Sequence, residues 1–151
     1  MDTSLVRSRF ETAVAEHAPE FERFFLARFF DLRITYGHET CRVEIPVADY
    51  MANPQGSLHG GVISLAMDIS MGHLCNRFLS VAVTLEMKTQ YLRAVTGHCW
   101  CEGRFLKKGR QVVYLESRLY DESERLCAVA TSTWHRLPDT SVPDPSLSDR
   151  A

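Results

Sequence analysis

The sequence predicts an α+β fold in which one long helix lies inside a curved antiparallel sheet, and three features carry that expectation. From Leu58 to about Asn76, Val62, Ile63, Leu65, Ala66, Met67, Ile69, Met71 and Leu74 cover most of a helical circumference, and a helix apolar nearly all round is a buried one. The segments before and after it alternate apolar and polar residues with the period of two that marks strands. The joints between the later segments are short and polar, as antiparallel neighbours require.

The elements follow in order. Residues 4–17 place Leu5, Phe10, Ala13, Val14 and His17 near helical spacing, and Pro19 closes that helix. A second helix is expected from Glu20 to about Phe29, carrying Phe21, Phe24, Phe25, Phe29 and Phe30 as core or as an oligomer contact. The period then changes to two: Leu32, Ile34 and Tyr36, a turn at Gly37-His38, and Cys41, Val43, Ile45 and Val47 form a hairpin. Residues 49–57, with Asn53-Pro54 and Gly56, are a loop that runs into the long helix. Strands are expected at 81–92, 98–106, 111–120 and 125–136, joined by Lys107-Lys108-Gly109-Arg110 and Asp121-Glu122-Ser123-Glu124 as an antiparallel meander. By simple alternation Lys88 and Gln90 share a face with Thr84 and Glu86, opposite Leu85, Met87 and Thr89. The tail, 138–151, is proline, serine and aspartate with little to bury, and is expected to be disordered. The organisation is therefore an N-terminal helical extension (1–30), one α+β domain (31–137) and the tail.

Composition narrows the function classes. At 151 residues the chain can bury roughly two-thirds of its unfolded surface in one core. A net charge of −2 provides no global field to gather nucleic acid or anionic lipid, so an anionic ligand must be held locally. No window reaches the roughly 18 apolar residues of a membrane span, and Asp2, Glu11, Glu16, Glu20 and Glu22 are unlike a transit peptide. The odd set Cys41, Cys75, Cys99, Cys101 and Cys127 favours reduced thiols in the cytoplasm, and its spacing matches no metal site.

The chemistry concentrates between Asn53 and Asp68. Glycines at a helix start, Gly56, Gly60 and Gly61, let the backbone approach a ligand where unpaired N–H groups and the helix dipole favour negative charge; equally, they permit close helix packing. Asp68 is a carboxylate on an otherwise apolar helix, which is costly unless a polar partner or a functional role accounts for it. His59 and Asp68 are nine residues apart, about 13 Å along a helix axis and on opposite faces. If both serve one active site, the glycine end of one helix must meet Asp68 of another, which requires a symmetric dimer.

The pattern N-x-x-G-x-x-H-G-G with an acid nine residues after the histidine resembles the PaaI-type branch of the hotdog-fold acyl-CoA thioesterases. Val83-Thr84-Leu85-Glu86-Met87, Tyr91-Leu92-Arg93-Ala94 and Gly97 extend the resemblance, which covers roughly residues 30–137. It implies the hotdog fold, a homodimer or dimer of dimers, an acyl-CoA substrate and no cofactor or metal. Asp68 would then act as general base or nucleophile, and Gly60 would offer its backbone N–H to the thioester oxygen. His59 and Asn53 would shape that end, and Thr84 would orient the attacking water or steady the carboxylate. Read without the resemblance, His59 is also a helix cap, Asn53 ordinary turn chemistry and Thr84 a strand former. Gly61 belongs to the ligand-approaching backbone, while Arg93 and the cationic turn of Lys107, Lys108 and Arg110 are candidates for the phosphates of coenzyme A or a solvated hairpin tip. A non-catalytic acyl-CoA binding protein would keep the glycines and cations but have no need of Asp68. A hydratase on the same fold resembles a different acid and histidine arrangement.

Overall fold

The computed structural model describes residues 1–138, so the tail expected to be disordered lies, from residue 139 onward, outside the described residues. Helix α1 (Thr3–Glu16) begins at Asp2, whose carboxylate accepts the backbone N–H groups of Ser4 and Leu5 at 3.0 and 3.1 Å. Helix α2 (Phe25–Phe29) is shorter than the expected span from Glu20. Residues 18–23 instead close a loop, with the Ala18 N–H donating to the Arg23 carbonyl and the Arg23 N–H to that of Glu20. Phe21 and Phe24 leave the helical stripe because they pack on the imidazole of His73, an element far away in sequence.

The hairpin of β1 (Arg33–Tyr36) and β2 (Thr40–Ile45) forms as expected. A short 3-10 turn at Asp49–Met51 and the loop through Gly56, whose φ of +83° is the left-handed region glycine favours, lead into α3 (Gly60–Phe78). Strands β3 (Ala82–Tyr91), β4 (Cys99–Lys108), β5 (Val112–Asp121) and β6 (Leu126–Arg136) complete one antiparallel sheet of six strands.

Strand order is β1-β2-β4-β5-β6-β3. The meander expectation holds for β4, β5 and β6, but β3 is not beside β4. Residues 92–98 carry the chain across the sheet, so that β4 joins the hairpin and β3 becomes the far edge beside β6. Pairing this way lets the sheet wrap α3, whose Met67, Met71, Leu74 and Cys75 are fully buried against it. Truncating one of these, Leu74→Ala for example, costs roughly 2–5 kcal/mol. Gly103 on β4 lets α3 come close, since a Cβ there would stand 2.8 Å from the Ser70 carbonyl oxygen.

A bulge in β3 between Thr84 and Glu86 corrects the alternation expected from the sequence. One inserted residue, Leu85, reverses the phase of the strand. Thr84 therefore shares the helix-facing side with Met87, Thr89 and Tyr91, while Lys88 and Gln90 face outward with Glu86. Ser132 of β6 donates to the Glu86 carbonyl at 2.6 Å beside the bulge.

All five cysteines are unpaired and buried. Burial pushes the thiols of Cys75, Cys99 and Cys101 up to about 12, so they serve as small apolar side chains. Among the described residues, no helix is long and apolar enough to cross a membrane.

Candidate active site

Asp68 lies midway along α3, half-buried, on the side that meets β3. The Thr84 hydroxyl donates to its Oδ1 at 2.9 Å, the contact expected between these two residues. Its Oδ2 has no hydrogen-bond partner among the described residues. Burial raises the carboxyl pKa above its ordinary value, and the Thr84 hydrogen bond, which favours the charged form, only partly opposes it. Asp68 opens into a cavity of about 440 Å³ whose other walls include Phe21, Phe24, Ile69, Val83 and Trp134.

The start of α3 is a separate place. His59 is the N-cap: its Nδ1 accepts the Gly61 N–H at 2.8 Å, which puts the proton of a neutral ring on Nε2. The His59 carbonyl takes the N–H groups of Val62 and Ile63. The Gly60 N–H has no partner among the described residues, so of the first-turn donors it is the one left to meet a ligand. Gly61, grouped with the ligand-approaching backbone from sequence, is already engaged by His59.

Tyr91 is the residue at this end that sequence reasoning missed. Its hydroxyl donates to the Gly60 carbonyl at 3.0 Å and lies 2.6 Å from the Ser64 hydroxyl, holding the first turn of α3 against β3. A Cβ on Gly60 would come within 3.1 Å of the Tyr91 ring, so the glycine also gives the ring its place. Only the phase reversal at Leu85 turns Tyr91 toward the helix, and nothing in strict alternation signals it.

A second cavity, of about 380 Å³, is lined by Asn53, Gly60, Tyr91 and Arg93 among others. Asn53 orders the loop that forms its rim: Oδ1 accepts the N–H groups of Gln55 and Ser57, and Nδ2 donates to the Ser57 hydroxyl at 2.9 Å. This is the turn chemistry open to an asparagine before proline. The Asp68 cavity and the Gly60 cavity share no lining residue. Gly60 and Asp68 are about 12 Å apart along the helix axis, so one chain brings together Asp68 with Thr84, and separately Asn53, His59, Gly60 and Arg93.

The cationic turn lies elsewhere. Lys108 is three strands across from Thr84, about 14 Å over the sheet. Its ammonium is paired with Glu39 and sits 5.0 Å from the Phe105 ring. Lys107, Lys108 and Arg110 line neither cavity of their own chain, whereas Arg93 lines the Gly60 cavity.

Comparison with known proteins speaks to the family and the fold. The family model described as "Thioesterase superfamily" matches residues 55–128, from the loop before α3 to the start of β6. A Saccharolobus solfataricus protein named "Putative esterase SSO2140" is 35% identical over 99 residues, 63% of this chain and 70% of that protein. The conserved protein PA5202 of Pseudomonas aeruginosa superposes with a TM-score of 0.71 at 30% identity, over 80% of this chain and 99% of that one. Two more distant structures share the fold. Bacillus halodurans BH2602, solved with CoA, has a TM-score of 0.78 at 22% identity, over 90% of this chain and 93% of that one. The E. coli PaaI protein, from the phenylacetic acid degradation operon, has a TM-score of 0.72 at 21% identity, over 89% of this chain and 96% of that one. The buried helix, the six-stranded sheet that wraps it and the match across the helix and its entry loop lead to one conclusion: the chain belongs to the thioesterase superfamily and has its hotdog fold.

Proposed function

We propose that the protein hydrolyses acyl-CoA thioesters at a site shared by two copies of the chain, Asp68 and Thr84 coming from one and the Gly60 end of α3 from the other. The observation that carries this reading is a division of labour along one helix. Among the described residues its start holds an unpartnered backbone N–H at Gly60, and its middle holds a carboxylate with a free oxygen at Asp68, each in its own cavity.

In this reading a water attacks the thioester carbonyl carbon and its proton goes to Oδ2 of Asp68, while the Thr84 hydroxyl keeps the other oxygen in place. The oxygen that becomes negative accepts the Gly60 N–H, aided by the positive end of the α3 dipole. Collapse of the tetrahedral species breaks the carbon–sulfur bond, and the departing thiolate takes the proton back from Asp68. The raised pKa suits the task, since a stronger base at the same site takes the proton more readily. Arg93, beside the Gly60 cavity, is placed to meet the coenzyme, and the turn of Lys107, Lys108 and Arg110 is a second cationic surface for its nucleotide. That BH2602 was solved with CoA supports this substrate class for a chain of the same fold.

The sheet edge supports the dimer. Strand β3 is ten residues long and among the described residues pairs only with β6, and Val83 and Leu85 on it are 44% and 58% exposed in the single chain. Proteins rarely leave so long and apolar an edge uncovered, and an isologous pair of β3 edges covers it. The unpaired buried thiols fit a reducing, cytoplasmic setting.

The direct test is release of free thiol from acyl-CoA esters by the purified protein, with Asp68→Asn expected to lower kcat by roughly 10²- to 10⁴-fold. Undiminished turnover in that variant would remove Asp68 from the chemistry. Single turnover in ¹⁸O-labelled water separates a base, which places the label in the product acid, from a nucleophile, which first acquires it on Asp68.

A further inference from the structure

We infer that the segment of residues 19–24, locked onto α3 by His73, forms one wall of the acyl pocket and sets which acyl groups the enzyme accepts; this rests on the thioester-hydrolase reading above. The cavity beside Asp68 also has Glu20, His73 and Thr84 in its lining, but its surface is mostly apolar, and Phe21, Phe24 and Trp134 are its aromatic groups. An acyl chain whose carbonyl sits at Asp68 has this space to enter. Phe21 and Phe24 lie outside residues 55–128, the part of the chain that carries the family match.

The wall is fixed in place. His73 is 2% exposed, and its Nε2 lies 2.7 Å from the Phe21 carbonyl while Nδ1 lies 3.0 Å from that of Ile69. A buried imidazole is costly without hydrogen bonds; both ring nitrogens of His73 face carbonyls, and the shorter contact, at Nε2, is the one to the Phe21 backbone. The Phe21 ring stands edge-on to the imidazole, centroids 5.1 Å apart, and the Phe24 ring is 6.3 Å away. His73 thus ties the segment to the helix that bears Asp68, which lies about one and a half turns before it.

Trp134, in the same lining, has a matching constraint. Trp134, 5% exposed, rests on Gly72: a Cβ there would stand 2.8 Å from Cη2 of the indole. The glycine lets the indole lie against the helix instead of filling the cavity. Pocket width is therefore decided by three groups, the two phenylalanines that His73 holds and the indole that Gly72 admits.

The experiment compares kcat/KM for acetyl-, hexanoyl-, dodecanoyl- and palmitoyl-CoA across variants. In Phe21→Ala/Phe24→Ala the ratio of dodecanoyl- to hexanoyl-CoA is expected to rise about tenfold, the equivalent of one or two methylene groups newly accommodated. Gly72→Ala, which drives the indole into the pocket, is expected to move that ratio the other way. His73→Leu should follow the phenylalanine pair, with the change in KM rather than kcat, and His73→Gln, which keeps an N–H for the Phe21 carbonyl, should lie nearer the wild type. Ratios that stay constant while all rates fall together overturn the inference, because a general loss of folding moves every substrate alike. If the wild type releases thiol from none of these esters, the hydrolase reading fails by itself. Binding of the same four CoA esters to Asp68→Asn, with and without the phenylalanine pair, then still decides the wall: affinities that vary with acyl length and lose that dependence in the variant support it, and unchanged affinities overturn it.

Discussion

Asp68 has its pKa raised by burial and partly restored by the Thr84 hydroxyl, and that balance sets the sign of two measurements. Removing the hydroxyl in Thr84→Val takes away the group that favours the charged form, so the acid limb of kcat/KM should move to higher pH than in the wild type. A limb that stays or moves lower would show that the hydrogen bond does not act on the catalytic form. A carboxyl whose pKa is higher folded than unfolded binds protons more tightly in the folded protein. Its contribution to stability is present at low pH and is lost as pH rises through the folded value. The Tm of Asp68→Asn, which cannot ionise, should therefore gain on that of the wild type as pH increases from below the ordinary carboxylate range toward neutrality. Gly60 allows an equally selective change. It is the first residue of α3, where proline is tolerated, and His59 before it has φ −63° and ψ 133°, the extended conformation proline demands of its predecessor. Gly60→Pro therefore deletes the free N–H while the helix remains, at the cost of a small shift of the exposed Tyr91 ring. A fall in kcat of roughly 10²- to 10³-fold with a nearly unchanged Tm is the expected result for an oxyanion donor.

Among the elements, β3 carries the most consequence. It supplies Thr84 to Asp68 and Tyr91 to Gly60 from one side, and the bulge at Leu85 is what lets both point the same way although they are seven residues apart. Alternation read from the sequence puts them on opposite faces and sets Lys88 and Gln90 beside Thr84, so it gives no sign of Tyr91 as a site residue. Leu85 itself is left on the open edge. In a monomer, Leu85→Lys at an exposed position changes stability by no more than about 0.5 kcal/mol. In a dimer joined along β3 it sets two charges into the interface, so sedimentation should show dissociation and the thioesterase rate should fall with it. A variant that sediments and turns over as the wild type does would place the dimer contact elsewhere.

For the molecule as a whole, the shared site makes a prediction that no single-chain site can. Asp68→Asn and Gly60→Pro are each expected to be inactive alone, yet a mixed dimer has one site with both groups intact. Co-refolding equal amounts should restore about a quarter of the wild-type activity, since half the dimers are mixed and each keeps one of its two sites. No recovery, with mixed dimers demonstrated, would mean that both groups act within one chain.

The sequence by itself determined the elements and the chemistry on offer. Periodicity located the buried helix and the strands, because 3.6- and 2.0-residue repeats are local properties of the backbone. The glycine-histidine entry and the lone acid marked the two halves of the proposed site, because residue type alone says what can donate or take a proton. Tertiary structure decided what those residues meet. Strand β3 crosses to the far edge beside β6, a bulge re-aims it, the Phe21 segment leaves its helix for His73, and Lys108 turns to Glu39 rather than to a cavity. Each of these depends on partners distant in the chain, and a local pattern holds no record of a contact that only folding creates.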